Sequence, residues 1–121
     1  MLVALWTVNG LLALAFIGTG TLKLARSKEQ LRAAGMAWTD DVAASRIKLA
    51  GVAEVLGALG LVLPLATGVA PVLAPVAAVA LAGTMVAATA LHLRRRESPA
   101  PAVVLLVLSL ASAVLGFVVV R

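Results

Sequence analysis

Four long apolar stretches, separated by short polar connections, constrain this chain more than anything else in it. They are Leu2–Leu24, Ile47–Leu65, Pro71–His92 and Pro101–Val120. A helix of roughly 20 residues crosses the hydrocarbon core of a bilayer. Inside lipid, every backbone N–H and C=O must find its partner within the protein, which leaves helices or closed barrels. Runs this long and uninterrupted are helical. The expectation is therefore an all-α, polytopic membrane protein: a four-transmembrane-helix bundle forming a single domain over residues 1–121. Composition points the same way, with 63% hydrophobic and 12% charged residues, where a soluble domain is about half apolar and a quarter charged. The first stretch lacks the basic leader of a secretory signal and is long for one, so it is expected to be a retained helix.

The charges that remain are arranged around the spans. The first connection carries Lys23, Arg26, Lys28, Arg32, Arg46 and Lys48, and the third carries Arg94, Arg95 and Arg96. Residues 66–70, between the second and third spans, carry none, and the far end has only Arg121. The positive-inside rule then puts the first and third connections in the cytoplasm and both termini outside. The formal charge of +5 is better explained by topology and anionic lipid than by nucleic acid, since aromatic residues for base stacking are few. Membrane lipids are the expected partners and nucleic acid is not. The absence of cysteine removes disulfides, thiol redox chemistry and cysteine metal ligation. One histidine and no clustered carboxylates argue against a metal site held by protein groups alone.

The first connection is longer than a turn requires. Ser27-Lys28-Glu29-Gln30 has the form of a capping box, predicting a short interfacial helix from Lys28 to about Ala34 that stops at Gly35. Met36 and Trp38 suit the headgroup boundary. Thr39-Asp40-Asp41 is expected to cap a further helix that runs on into the second span, with its acids near the positive dipole end. Pro64 is expected to end the second span, Gly68 to break the turn and Pro71 to open the third helix.

One carboxylate lies inside an apolar run. A lone acid in hydrocarbon costs several kcal/mol unless paired, protonated or wetted, and usually marks a bundle interior. At helical spacing Glu54 shares its side with Ala50, Gly51, Gly57 and Ala58, a small-residue stripe suited to close helix approach. Leu56, Leu63 and Val55 fall elsewhere and can meet lipid. By rise per residue Glu54 lies about 9 Å beyond Lys48. In the first span Asn9, Ala13, Phe16, Gly20 and Lys23 share a side. In the third, His92 closes the helix beyond Met85, Ala88 and Thr89. In the fourth, Ser109, Ser112 and Gly116 form a small edge suited to packing. Lys23, Glu54 and His92 thus fall at similar depth, and together with Asn9 they are the candidate buried polar cluster or ligand site. Each also has a plainer role: Glu54 as a structural tie to Lys23 or a hydroxyl, Lys23 and His92 as interfacial anchors, Asn9 as an interhelical hydrogen-bond donor. No nucleophile–base pair, phosphate loop or metal-ligand spacing is present, so no catalytic residue is assigned.

Several segments in this order resemble the DoxX-like family of small four-helix membrane proteins. They are Lys23-Leu24, Gly35-Met36-Ala37-Trp38, the second-helix run from Glu54-Val55-Leu56-Gly57 to Leu63-Pro64, and His92-Leu93-Arg94-Arg95. The resemblance implies a bacterial cytoplasmic-membrane protein. It also implies links, in some relatives, to quinone-coupled sulfur oxidation or to membrane oxidoreductase complexes, and in distant ones to assembly of other membrane proteins. Without cysteine, a thiol-based version of that chemistry is excluded here, whereas contact with a quinone is not. The first functional expectation is a non-catalytic binding or accessory subunit, holding a quinone, a lipid or a partner protein. The alternative is a small proton-coupled transporter of hydrophobic compounds, disfavoured because a lysine would compete with a cationic substrate. An enzyme built on Glu54 and His92 is a third, for which the sequence offers no further support. The small-residue stripes also leave faces for a homo-oligomer.

Overall fold

The computed structural model describes residues 1–120; Arg121, the one charge expected at the far end, lies outside the described residues. Among them there is no strand. Four long helices, α1 (Leu2–Ala25), α3 (Ala44–Thr67), α4 (Leu73–Arg94) and α5 (Ala100–Val120), are each long and apolar enough to cross a membrane. A short helix α2 (Lys28–Ala33) and a 3-10 turn (Ala37–Asp41) lie between α1 and α3. The long helices form a ring in the order α1–α3–α4–α5, closed by α5 against α1, with α1–α3 and α4–α5 the most extensive pairs.

The core is small for a chain of this length. Leu12, Phe16, Ala58, Leu61, Leu81 and Met85 are buried at its centre, while Leu14, Leu56, Val79 and Val114 are among many large apolar residues facing outward. Lipid is as apolar as leucine, so association of such helices rests on close packing rather than on exclusion of water. The contacts show it. A Cβ on Gly20 would come within 2.9 Å of the Gly51 carbonyl oxygen, and one on Gly51 equally close to that of Gly20. Gly57 abuts Leu81, Gly60 abuts Ala77, and Gly116 abuts Pro75. The small-residue stripe of α3 therefore serves two neighbours, α1 at Gly51 and α4 at Gly57 and Gly60. Leu56 and Leu63 are exposed as expected. Val55 is not: it is half-buried and packs on Gly20, because the glycine leaves room for a branched side chain.

The helix ends are where expectation and structure part. The capping box at Ser27 and Gln30 is complete in both directions. Gly35, at φ +100, ends α2, its N–H reaching Arg32 O and the Met36 N–H reaching Leu31 O, a Schellman turn. Thr39-Asp40-Asp41, however, do not cap α3. They form the 3-10 turn, and α3 starts later, with Ala43 at its N-cap and no side-chain cap. Their side chains have other partners: Thr39 donates to Met36 O at 2.7 Å, Asp40 pairs with Arg32 at 3.2 Å and Asp41 with Arg95. A charged partner outweighs one turn of helix dipole. Pro64 lies inside α3 rather than ending it, and the helix stops at Gly68, φ +72, whose N–H donates to Pro64 O. Pro71 sits in a turn just before α4 rather than opening it.

Candidate functional site

Lys23 and Glu54 flank the Gly20–Gly51 contact on antiparallel helices, Gly20 packing beside Glu54 and Gly51 beside Lys23, and they reach across it to one another. Lys23 Nζ donates to Glu54 Oε1 at 2.7 Å, and Thr19 Oγ1 approaches Oε2 at 3.5 Å. The Glu54 side chain is 1% exposed and that of Lys23 10%. Lysine has thus turned inward rather than outward to the headgroups. A close approach of two backbones brings a short lysine–glutamate reach into range, and each desolvated charge is compensated by the other.

The C-terminal end of α1 is held by a second lysine from α3. Lys48 Nζ donates to the carbonyls of Lys23, Leu24 and Arg26 at 2.8, 2.8 and 2.9 Å. These are carbonyls that the helix itself leaves without partners, and a cation there suits the negative end of the dipole. Nothing in the sequence distinguishes Lys48 from an ordinary interfacial lysine; its role depends on where α1 ends relative to α3.

Beside the ion pair opens a cavity of about 580 Å³. Lys23, Glu54, Thr19, His92, Arg46 and Glu97 are among its polar lining residues, and Met36, Met85, Ala50 and Leu105 among its apolar ones. Trp38 joins the two kinds of wall. Lys23 Nζ lies 5.3 Å from the centre of its ring, and the His92 ring meets it edge-on at 6.4 Å. Both distances lie in the range of favourable cation–π and aromatic contacts.

His92 closes the third side. Its Nδ1 is buried, lies 3.5 Å from Glu97 Oε1 and makes no hydrogen bond. Glu97 reaches this place through the turn after α4. Arg96 takes φ +58, the Arg96 N–H donates to Leu93 O and the Glu97 N–H to His92 O at 2.9 Å. This is a second Schellman turn, with an arginine where glycine is usual. Arg95 then bonds Glu97 at 2.8 Å and also pairs with Asp41, so the connection before α3 is tied to the connection before α5. These two carboxylates hold the Arg95 guanidinium above its already high ordinary pKa.

The structure brings Lys23, Glu54 and His92 to one cavity. Asn9 is elsewhere. Its amide nitrogen donates to Leu61 O at 2.8 Å and its oxygen accepts from the Ser112 hydroxyl, fully buried between α3 and α5. That is an interhelical clasp with both ends of the amide satisfied. Trp38, Thr19 and Arg46 line the site and were not among the candidates from sequence. Trp38 carries a signal in the sequence, as an aromatic beside the charged connection, but that signal suits the headgroup boundary equally well. Among the described residues no three His, Asp or Glu side chains gather to hold a metal ion.

A family model, that of the DoxX-like family, matches residues 7–114. That match takes in every residue of the cavity wall named above. No curated protein and no solved structure matches the chain.

Proposed function

The chain belongs to the DoxX-like family, a multi-pass membrane protein by its four apolar helices, and we propose that it holds a lipophilic small molecule without transforming it. The ligand class is a quinone, with a membrane lipid the nearest competitor. The observation that carries this reading is the cavity itself: about 580 Å³, apolar for most of its lining, with Lys23, Thr19, His92 and Trp38 converging at one place. Ligand sites have this size and this mixture, many apolar walls and a few placed polar groups. Lys23 and Trp38 offer donors for the carbonyl oxygens of a quinone head, and Met36 and Met85 adapt to flat or flexible groups.

No side chain here is arranged as a nucleophile with its base, which favours a holding or accessory role beside a membrane oxidoreductase over catalysis. The transporter alternative is weaker, because Lys23 already occupies the position that a cationic substrate would need next to Glu54. By the positive-inside rule the cavity, which lies at the basic end of the bundle, faces the cytoplasm of a bacterial cell.

Quinones quench tryptophan fluorescence, so the test is a titration in detergent. With Trp6→Phe as background, a soluble quinone analogue is expected to quench Trp38 saturably, and Lys23→Met to weaken that quenching several-fold. Linear, unsaturable quenching, or saturation untouched by Lys23→Met, would remove the quinone reading. Extraction of the purified protein in organic solvent, followed by mass spectrometry, separates quinone from lipid as the resident molecule.

A further inference from the structure

A second cavity of about 420 Å³ lies between the first turn of α3 and the last turn of α4. We propose that it binds the phosphate of an anionic glycerophospholipid, held between Arg46 and Arg94.

Arg46 is the third residue of α3 and Arg94 the last of α4. Both line this groove and both are exposed. Among the described residues neither is paired with a carboxylate, in contrast to Arg32 and Arg95. The one acid in the groove, Asp41, is already engaged by Arg95. Two guanidinium groups therefore line one space whose single acid is held by a third arginine. One of them stands at the start of a 24-residue helix that has no side-chain cap, the end at which a cation is least favourable and an anion most. Guanidinium also matches phosphate oxygens in geometry, offering two parallel donors.

The remaining lining identifies the source of the phosphate. The groove is more polar than apolar, and its apolar part comes from Val42, Ala43, Ala87 and Leu91, of which Ala87 and Leu91 lie on α4 toward its membrane-spanning part. The arginines stand at the ends of two spanning helices, the level of lipid headgroups, with Leu91 and Ala87 leading from them toward acyl-chain depth. A phosphate ester carrying chains satisfies both parts of the site; free phosphate satisfies only one. A choline headgroup would bring a third cation against two arginines, so the preference is for a lipid with net negative charge. The groove shares Val42, Arg46, Ala87 and Leu91 with the larger cavity, but the phosphate site stands whether or not that cavity holds a quinone.

The full-length protein is to be equilibrated in detergent with equal amounts of phosphatidylglycerol and phosphatidylcholine of identical chains, and the retained lipid counted by native mass spectrometry. Wild type is expected to favour phosphatidylglycerol by about fivefold or more, since each basic residue near an anionic headgroup contributes on that scale. The pair Arg46→Gln with Arg94→Gln is expected to fall to near parity. Arg96→Gln, which removes a neighbouring charge outside the groove, is expected to keep the preference. Parity in wild type overturns the proposal, as does an equal loss in Arg96→Gln, which would make the effect one of general basicity. Displacement of the lipid by inorganic phosphate in excess would overturn the lipid as source; retention in its presence supports it. All three arginines are exposed, and the same spectra report whether the variants remain folded.

Discussion

Gly20 and Gly51 face each other so closely that a Cβ on either would lie 2.9 Å from the other's carbonyl oxygen. Lys23 and Glu54, on opposite sides of that contact because the helices are antiparallel, reach across it to form the buried ion pair. The glycine contact sets the helix separation, and the helix separation sets the ion pair.

Gly51→Ala is accordingly expected to destabilise the bundle by about 1–3 kcal/mol, the usual cost of overpacking. The added methyl group meets backbone as well as Leu24 and Lys23, so it cannot be relieved by one rotamer. Gly83→Ala, with open space around it, is expected to be neutral. Unfolding in mixed detergent by sodium dodecyl sulfate compares the two; equal midpoints would show that the contact does not limit helix approach.

For the ion pair, removing one partner leaves a buried charge alone. Lys23→Met is expected to cost about 3–5 kcal/mol, whereas Lys23→Met combined with Glu54→Leu recovers most of it, because the desolvation cost disappears with both charges. The same unfolding assay, run as a double-mutant cycle, measures the coupling. Additive losses would mean that the two side chains do not depend on one another.

Asn9→Leu should lower stability by about 0.6–2 kcal/mol, the range for interhelical hydrogen bonds in membranes. It breaks the bonds to Leu61 O and Ser112 and leaves the cavity wall untouched. Quenching of Trp38 by the quinone analogue should therefore be unchanged. A change in that quenching would connect Asn9 to the ligand site after all.

The turn at Arg96 supplies a prediction of the opposite sign. A non-glycine residue in the left-handed region costs about 1–2 kcal/mol, so Arg96→Gly is expected to stabilise the protein by a few tenths to about 1 kcal/mol. Unfolding midpoints decide it. A loss of stability would show that the arginine side chain makes contacts worth more than the strain.

In the 3-10 turn that also carries Trp38, Asp41→Asn removes the charge that Arg95 holds. Burial of Trp38 should decrease, seen as faster quenching by a neutral water-soluble quencher in the Trp6→Phe background. Raised by its two carboxylates, the Arg95 pKa means that its contribution is complete below the ordinary arginine range and lost only above the folded value. No change of pH below the ordinary arginine range therefore alters the charge on Arg95. Salt should loosen the pair instead, since the Asp41 side chain is 54% exposed and exposed pairs are screened.

Much of this architecture was legible in the residues alone. The spans Leu2–Leu24 and Pro101–Val120 match α1 and α5 to within a residue at each end, and the inward side of α1, from Asn9 through Phe16 to Lys23, is buried throughout. Hydrocarbon thickness and helical period dictate these features locally, so sequence carries them. The Ser27–Gln30 box and the stop at Gly35 are equally local, each closed by bonds within a few residues. The fate of Thr39-Asp40-Asp41 was not legible. The same three residues satisfy the rules for an N-cap, and only the positions of Arg32 and Arg95, one of them 54 residues away from Asp41, made them a separate 3-10 turn tied to two arginines.

The site divides along the same line. That Glu54 is a buried carboxylate on a small-residue face followed from the sequence, because a helix has one period and hydrocarbon tolerates few charges. Which cation meets it, whether Asn9 joins it, that Lys48 caps α1, and that two arginines are left to share a groove were decided by the ring order and by the glycine contacts. Those set which helix faces which at a given depth. Distance in space between residues far apart in the chain has no local signature, and here it separates a clasp at Asn9 from a cavity at Glu54.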